Sequence, residues 1–230
     1  MHIHPIPGIL FASNLYEKLR RTQYNSDDLR VNGAKVFIKE GANMGKLNIG
    51  TNTFIPMPVT LLGSMVGGRP NFMAAGWVTR MNATPPYLGV GINKTHHTSS
   101  GIRQTRSFSI NLPGADIVME TDYCGFISGK KVDKSTVFEL FYGELKTAPM
   151  IQKCPLCIEC KLVHIHEMPT NLLFIGEIIG AYTEERYLTK GELDIEKMNL
   201  MILTMPDNNY WAIGEHVGDA WNIGKKLLPE

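Results

Sequence analysis

From Met57 onward, apolar runs are cut off by glycine, proline or polar residues before any could form a helix of several turns. This constrains the fold more than any other feature of the chain. Thr60-Leu61-Leu62-Gly63-Ser64-Met65-Val66 stops at Gly67-Gly68-Arg69-Pro70. Paired glycines adopt the positive φ angles of a tight hairpin turn without steric cost. Residues 71–81 follow, rich in small and apolar side chains, so the two runs are expected to pair as a hairpin. Pro85-Pro86 then punctuates the chain, residues 87–92 (YLGVGI) read as a buried strand, and residues 107–112 (SFSINL) as another.

Helical signals are short by comparison. A polar stretch at 93–100 (NKTHHTSS) leads into a helix near 101–105, with Thr98, Ser99 or Ser100 as candidate caps. Residues 115–127 and 135–141 read as helices flanking SGKKVDK at 128–134. Residues 157–166 and 172–182 are strands by pattern, 210–215 is the last strand, and 221–226 form a tail. About seven strands joined by short helices predict a mainly β chain, an antiparallel barrel with helical insertions rather than a doubly wound sheet. A length of 230 residues with 43% hydrophobic side chains suffices for one large domain, assigned here to residues 44–230.

Residues 1–43 show no sustained period. The opening segment lacks a basic start, is interrupted by Pro5, Pro7 and Gly8, and has no small-residue cleavage site, so it is not a signal peptide. Lys39-Glu40-Gly41 can be encoded AAG-GAG-GGN, which contains a ribosome-binding sequence at normal spacing from Met44. The expectation is that Met44 is the native start and residues 1–43 are a translated leader, which other codons at 39–41 would contradict.

Charge excludes several function classes. Lys plus Arg number 23 against 22 Asp plus Glu, a net charge of +1, which gives no field for nucleic acid or an anionic membrane surface. No run approaches the roughly 18 apolar residues of a membrane span. Four cysteines, three within 154–160, do not make a secreted disulfide framework, so the expected compartment is the cytoplasm. Gly125 to Gly129-Lys130-Lys131 imitates a phosphate-binding loop, but three residues rather than four separate the glycines and no Ser or Thr follows the lysine. No GxGxxG is present.

Cys154, Cys157 and Cys160 followed by His164 and His166 could suit zinc or an iron–sulfur centre by ligand type. Strand alternation sends Cys157 and Cys160 to opposite faces. Cys160, Leu162, His164 and His166 would share one face, with neighbours about 7 Å apart, too far for a compact site. No metal is expected, and the thiols read as buried.

Two stretches carry more chemistry. NKTHHTSS offers hydroxyls at Thr95, Thr98, Ser99 and Ser100, the Lys94 cation, and backbone donors at a helix N-terminus, with Arg103 a turn further on. That set suits an anion, particularly a phosphate monoester, though a capped, solvated turn uses the same residues. Ala74-Ala75-Gly76 would let a flat ligand approach the backbone or let strands pack closely, with Thr79 and Asn82 supplying polar contacts.

In order, these stretches resemble the flavin-reductase-like FMN-binding split barrels. The pattern is Asn71-x-Met73-x-Ala75-x-Trp77, Asn82-x-x-Pro85-Pro86, Lys94-x-x-x-Thr98, Phe108-x-Ile110-Asn111, SGKKVDK, Glu159-Cys160, Phe174-Ile175-Gly176-Glu177 and Gly214-Glu215-x-x-Gly218-x-Ala220-Trp221. It covers about residues 57–226 and is most similar to the flavoredoxin-like branch. The resemblance implies a Greek-key-like antiparallel split barrel, a homodimer, and FMN near the dimer interface. It implies that Ala75, Gly76, Trp77, Val78 and Thr79 run beside the ring, with Asn82 at the ribityl chain or ring. Asn93, Lys94, His97 and Thr98 would hold the phosphate, and Lys130 and Lys131 would lie nearby.

The chemistry would be the flavin's own, with no catalytic triad. Where many relatives carry Gly-Asp-His before the strand that here reads LLFIGE, this chain has Pro169-Thr170-Asn171. Asn171 hydrogen-bonds but cannot carry a positive charge, which weighs against efficient reduction by NADH or NADPH unless His164 or His166 substitutes. Three functions follow: an FMN-dependent oxidoreductase, an FMN electron carrier fed by a ferredoxin-like protein, and a flavin-free binding module.

Overall fold

The computed structural model describes residues 47–228 together with the backbone of Arg30–Val31 and Ala34–Lys35. The chain divides into two compact units, Met1–Gly50 and Thr51–Glu230. In the first, Arg30–Val31 pairs antiparallel with Ala34–Lys35. The expected leader at 1–43 otherwise lies outside the described residues.

The second unit is built on seven strands: β1 (Thr60–Val66), β2 (Arg69–Ala75), β3 (Val78–Asn82), β4 (Tyr87–Asn93), β5 (Ser107–Leu112), β6 (Leu156–Glu167) and β7 (Asn171–Tyr182). Every neighbouring pair is antiparallel, in the order β2-β1-β5-β6-β7-β4-β3. The β1–β2 hairpin closes as expected: Val66 pairs with Arg69, and Gly67 and Gly68 both have positive φ, 58° and 79°.

The sheet order dictates the shape. β2 and β3 lie at opposite ends of the sheet, yet only Gly76 and Trp77 join them. The three peptide links from Ala75 to Val78 span at most about 11 Å, so the sheet must curl until its two edges meet. This is a split barrel, with the split where β2 hands over to β3. The expected single strand over 71–81 is therefore two strands, broken at the point where the chain steps across the split.

Alternation places two cores on the sheet's two faces. Leu62, Val90, Ile92, Phe108, Ile110, Cys160 and Phe174 fill the barrel. Leu61, Phe72, Cys157, Met150 and Ile151 form a second cluster outside it, covered by helix α2 (Val118–Phe126) and the segment that follows. Both faces of β1 are thus buried, which is why TLLGSMV reads as a continuous apolar run.

Three expectations need correction. Residues 135–141 are not one helix: a short 3-10 turn at Lys134–Val137 gives way to Leu140–Phe141, which pairs with Met150–Ile151. Phe138, Leu140 and Phe141 pack on the outer core, and that burial overrides the local helical pattern. The last strand is Asn209–Ala212, shorter than expected, and it pairs with an unexpected strand, Met201–Thr204, which in turn receives Met57–Pro58.

The third correction concerns β6. Cys157 and Cys160 do face opposite cores. A bulge between Leu162 and His164 then leaves Val163 without a partner on β7 and shifts the alternation by one. Ile165 takes the inward place, and His164 lies outside with His166. The row Cys160, Leu162, His164, His166 does not exist. Among the described residues no three His, Cys, Asp or Glu side chains converge as a metal site would require.

Candidate functional site

A groove runs along the split in three adjoining clefts. The first, about 320 Å³, lies between Ala74, Ala75, Gly76 and Trp77 on one side and Gly91, Ile92 and Asn93 of β4 on the other, with Met57, Asn171 and Leu203 at its margins. Small residues open it. A Cβ at Gly76 would sit 3.0 Å from Met57 Cβ, and Trp77 lies against Gly91, whose hypothetical Cβ would be 3.4 Å from the indole. The Trp77 carbonyl accepts from Gly91 N–H at 2.9 Å, so the backbone crosses the split in a fixed pose.

The second cleft, about 360 Å³, shares Met73, Ala74 and His96 with the first. One wall is the start of helix α1 (His97–Thr105), the other the residue 124–130 segment and Lys134. The helix begins earlier than expected. Its cap position is His96, and no side-chain oxygen caps it. Ser99 and Ser100 donate back to the carbonyls of His96 and His97 at 2.7 and 2.8 Å, while Thr98 accepts from buried Asn71 at 2.8 Å. The hydroxyls proposed as caps are thus engaged elsewhere; among the described residues no side chain takes the first-turn N–H groups, the positive end of the helix dipole, and of these Ser99 N–H donates to the His96 carbonyl at 3.2 Å.

The third cleft, about 370 Å³, continues past Asn71, His97, Gly129, Lys130 and Lys134 to Arg69 and Lys131. Gly129 is close-fitting: a Cβ there would collide with Asn71 Oδ1 and lie 3.4 Å from the His97 ring.

This end is predominantly basic: Arg69, Lys130, Lys131 and Lys134 line it, with one carboxylate, Asp133, among them. Lys134 is 3% exposed and forms no salt bridge among the described residues. It donates to the Cys124 and Ile127 carbonyls at 3.0 and 2.8 Å. Burial holds its pKa below the ordinary lysine value. Burial and then the Lys134 charge hold His96 below the ordinary histidine value; His97 is lowered by burial, Lys130 and Lys134. The Cys124 thiol beneath is pushed up to about 11 by burial and is neutral. Asp133 turns its carboxylate to Ser135 instead, accepting from its N–H and hydroxyl at 3.0 and 2.6 Å.

The structure brings most of the expected site residues together. Ala75, Gly76, Trp77, Asn93 and Asn171 line the first cleft, His97, Thr98 and Lys130 the second, and Lys131 the third. Others stand apart. Val78, Thr79 and Asn82 lie along edge strand β3 outside these linings, and Asn82 donates to the Pro85 carbonyl at 2.8 Å. Lys94 is drawn to Glu167, Nζ to Oε1 2.6 Å, which holds that carboxylate below its usual range. His164 and His166 are outside the groove. Sequence reasoning missed Asn71, His96, Gly129 and Lys134. All lie in or beside quoted motifs, but only the fold shows which lysine of SGKKVDK turns inward.

Residues 52–197 match the family model described as a flavin reductase like domain. The chain belongs to that family, on its flavoredoxin branch. It is 57% identical to a flavoredoxin from Methanosarcina acetivorans, whose crystal structure superposes with a TM-score of 0.78, covering 80% of this chain and 100% of that one. The flavoredoxin of Desulfovibrio vulgaris (Miyazaki F) is 32% identical with a TM-score of 0.74, covering 79% and 100%. A ferric-chelate reductase (NAD(P)H) from Archaeoglobus fulgidus is 28% identical over 127 residues, 53% of this chain and 72% of that protein. The matches to two uncharacterised proteins, from Archaeoglobus fulgidus and Aeropyrum pernix, span 64% and 47% of those proteins' lengths. No described helix is long and apolar enough to cross a membrane.

Proposed function

We propose that this chain binds FMN along the split of its barrel and transfers electrons through it as an oxidoreductase. The groove's change of character supports this most. Small and apolar residues at Ala74–Gly76 lead to an end where an uncapped helix, Lys130 and Lys134 meet. A flat ring with a phosphate-terminated tail has the same two ends. Similarity to two flavoredoxins supports a flavin, and the monoester chemistry of the basic end favours FMN.

Bound FMN would supply the redox chemistry. Ala74, Ala75 and Gly76 would admit the ring to the backbone. Asn93 and Asn171, opposite each other in the β4–β7 ladder, would offer hydrogen bonds at the groove edge. Thr98, Lys130 and the first-turn N–H groups of α1 would hold the phosphate. Lys94 would take part only by leaving Glu167. Thr98→Ala is therefore expected to weaken FMN binding about tenfold, and Lys94→Ala less; unchanged affinity in both would remove the phosphate assignment.

Asn171 favours a second reading, an FMN electron carrier served by a ferredoxin-like protein, because it offers no charge to a nicotinamide. Similarity to an NAD(P)H-dependent ferric-chelate reductase favours direct use of NADH or NADPH. A homodimer fits the exposed apolar side chains Trp77, Trp211 and Trp221 and is testable by sedimentation. The deciding experiment is an anaerobic spectral titration of FMN-reconstituted protein with NADPH and then NADH. Rapid bleaching makes it a pyridine-nucleotide-dependent reductase. Flavin that stays oxidised makes it a carrier, and failure to retain flavin leaves only a flavin-free binding module.

A further inference from the structure

Lys134 is a buried cation that makes no ion pair among the described residues. A lysine this enclosed is ordinarily paired with a carboxylate. Here two carbonyls near the C-terminal end of α2 offset part of the cost. A lysine ammonium has three N–H donors, and the third has no protein acceptor among the described residues. Lys134 lines both the second and third clefts. Across from it, Gly129 packs on Asn71 and His97, and Asn71 in turn holds Thr98. Asp133 lines the third cleft with Lys134, but its carboxylate accepts from Ser135 and forms no ion pair with Lys134. Lys134 is thus a buried positive charge with no direct ion pair among the described residues, at a place an apolar side chain could have filled.

Resting on the FMN reading above, we propose that Lys134 is the specificity-determining positioning residue of the groove: it makes the site select a phosphorylated flavin over a dephosphorylated one. Its two carbonyl bonds fix the 124–130 segment against the start of α1, and its remaining positive charge favours an anion there. A purely structural Lys134 would serve only the first role and would affect all flavins alike.

The test compares FMN and riboflavin binding to the full chain by flavin fluorescence. Wild type is expected to prefer FMN. Lys134→Met, which keeps the length of the side chain and loses its charge and its two carbonyl bonds, is expected to weaken FMN about tenfold more than it weakens riboflavin. Equal loss of both flavins, or an unchanged preference, overturns the role of Lys134 and leaves the FMN reading standing. Wild-type protein that binds riboflavin as tightly as FMN, or binds neither, overturns the phosphate reading itself.

Should Lys134→Met not fold, the unaltered protein answers the question through its 13C-labelled lysine ε-carbons. FMN, but not riboflavin, is expected to move the Lys134 resonance and raise its ionisation midpoint. No response to FMN overturns the proposal.

Discussion

At the scale of single residues, one heavily bonded buried group lies away from the groove. Glu159 is fully buried; its carboxylate accepts from the N–H groups of Glu144 and Leu145 at 2.9 and 2.8 Å and from the Tyr182 hydroxyl at 2.5 Å. It staples the loop after Phe141 to the sheet. Glu159→Ala would strand three donors, so a loss of about 3 kcal/mol in unfolding free energy is expected in a urea titration. His96 gives a pH prediction. Its folded pKa lies below the ordinary 6.5, from burial and then Lys134. Between those two values the unfolded chain binds more protons than the native one. The ligand-free protein is therefore expected to lose stability as pH falls below about 6.5, and His96→Gln to reduce that slope in denaturant titrations at pH 7.5 and 5.5.

Among elements, helix α1 depends on one close approach. It packs on β1 through Gly101, where a Cβ would meet the Met65 carbonyl oxygen and lie 2.6 Å from Val66 Cγ2. Gly101→Ala must push helix and strand apart. The expected cost is about 1–3 kcal/mol in thermal or urea unfolding, with weaker FMN binding because the helix start moves relative to Gly129. The elements also show where sequence reading succeeds. The β1–β2 turn was legible because Gly67-Gly68 answers a backbone requirement made within four residues. The break at Gly76-Trp77 was not, since nothing local distinguishes a small-residue strand from a step across the barrel. The Val163 bulge, which turned His164 outward, was equally silent because it is a mismatch between two strands.

For the whole molecule, the described members of both hydrophobic clusters run from Leu61 onward. If residues 1–43 are a leader, a chain begun at Met44 is expected to show the same cooperative melting temperature as the full chain, within a degree or two. A large drop would show that residues 1–43 contribute to the folded core, against their reading as a leader. Exposure of Trp211 and Trp221, 52% and 95%, makes a second whole-molecule expectation. If they are buried between copies, tryptophan emission should shift to the red on dilution through the dimer dissociation range.

Much of this protein is determined locally. Short runs between turn residues force strands, alternation of apolar side chains forces two buried faces, and the polar stretch leading into α1 leaves Thr95 and His96 in solvent. Those are interactions between residues a few positions apart, and the chain states them directly. The site is otherwise. That Lys134 rather than Lys130 or Lys131 is buried, that Lys94 turns to Glu167, and that β2 and β3 meet across a groove depend on residues far apart in the chain. Only closure of the sheet into a barrel brings them into contact, and the energy that chooses among them is that of burial, which no local pattern contains.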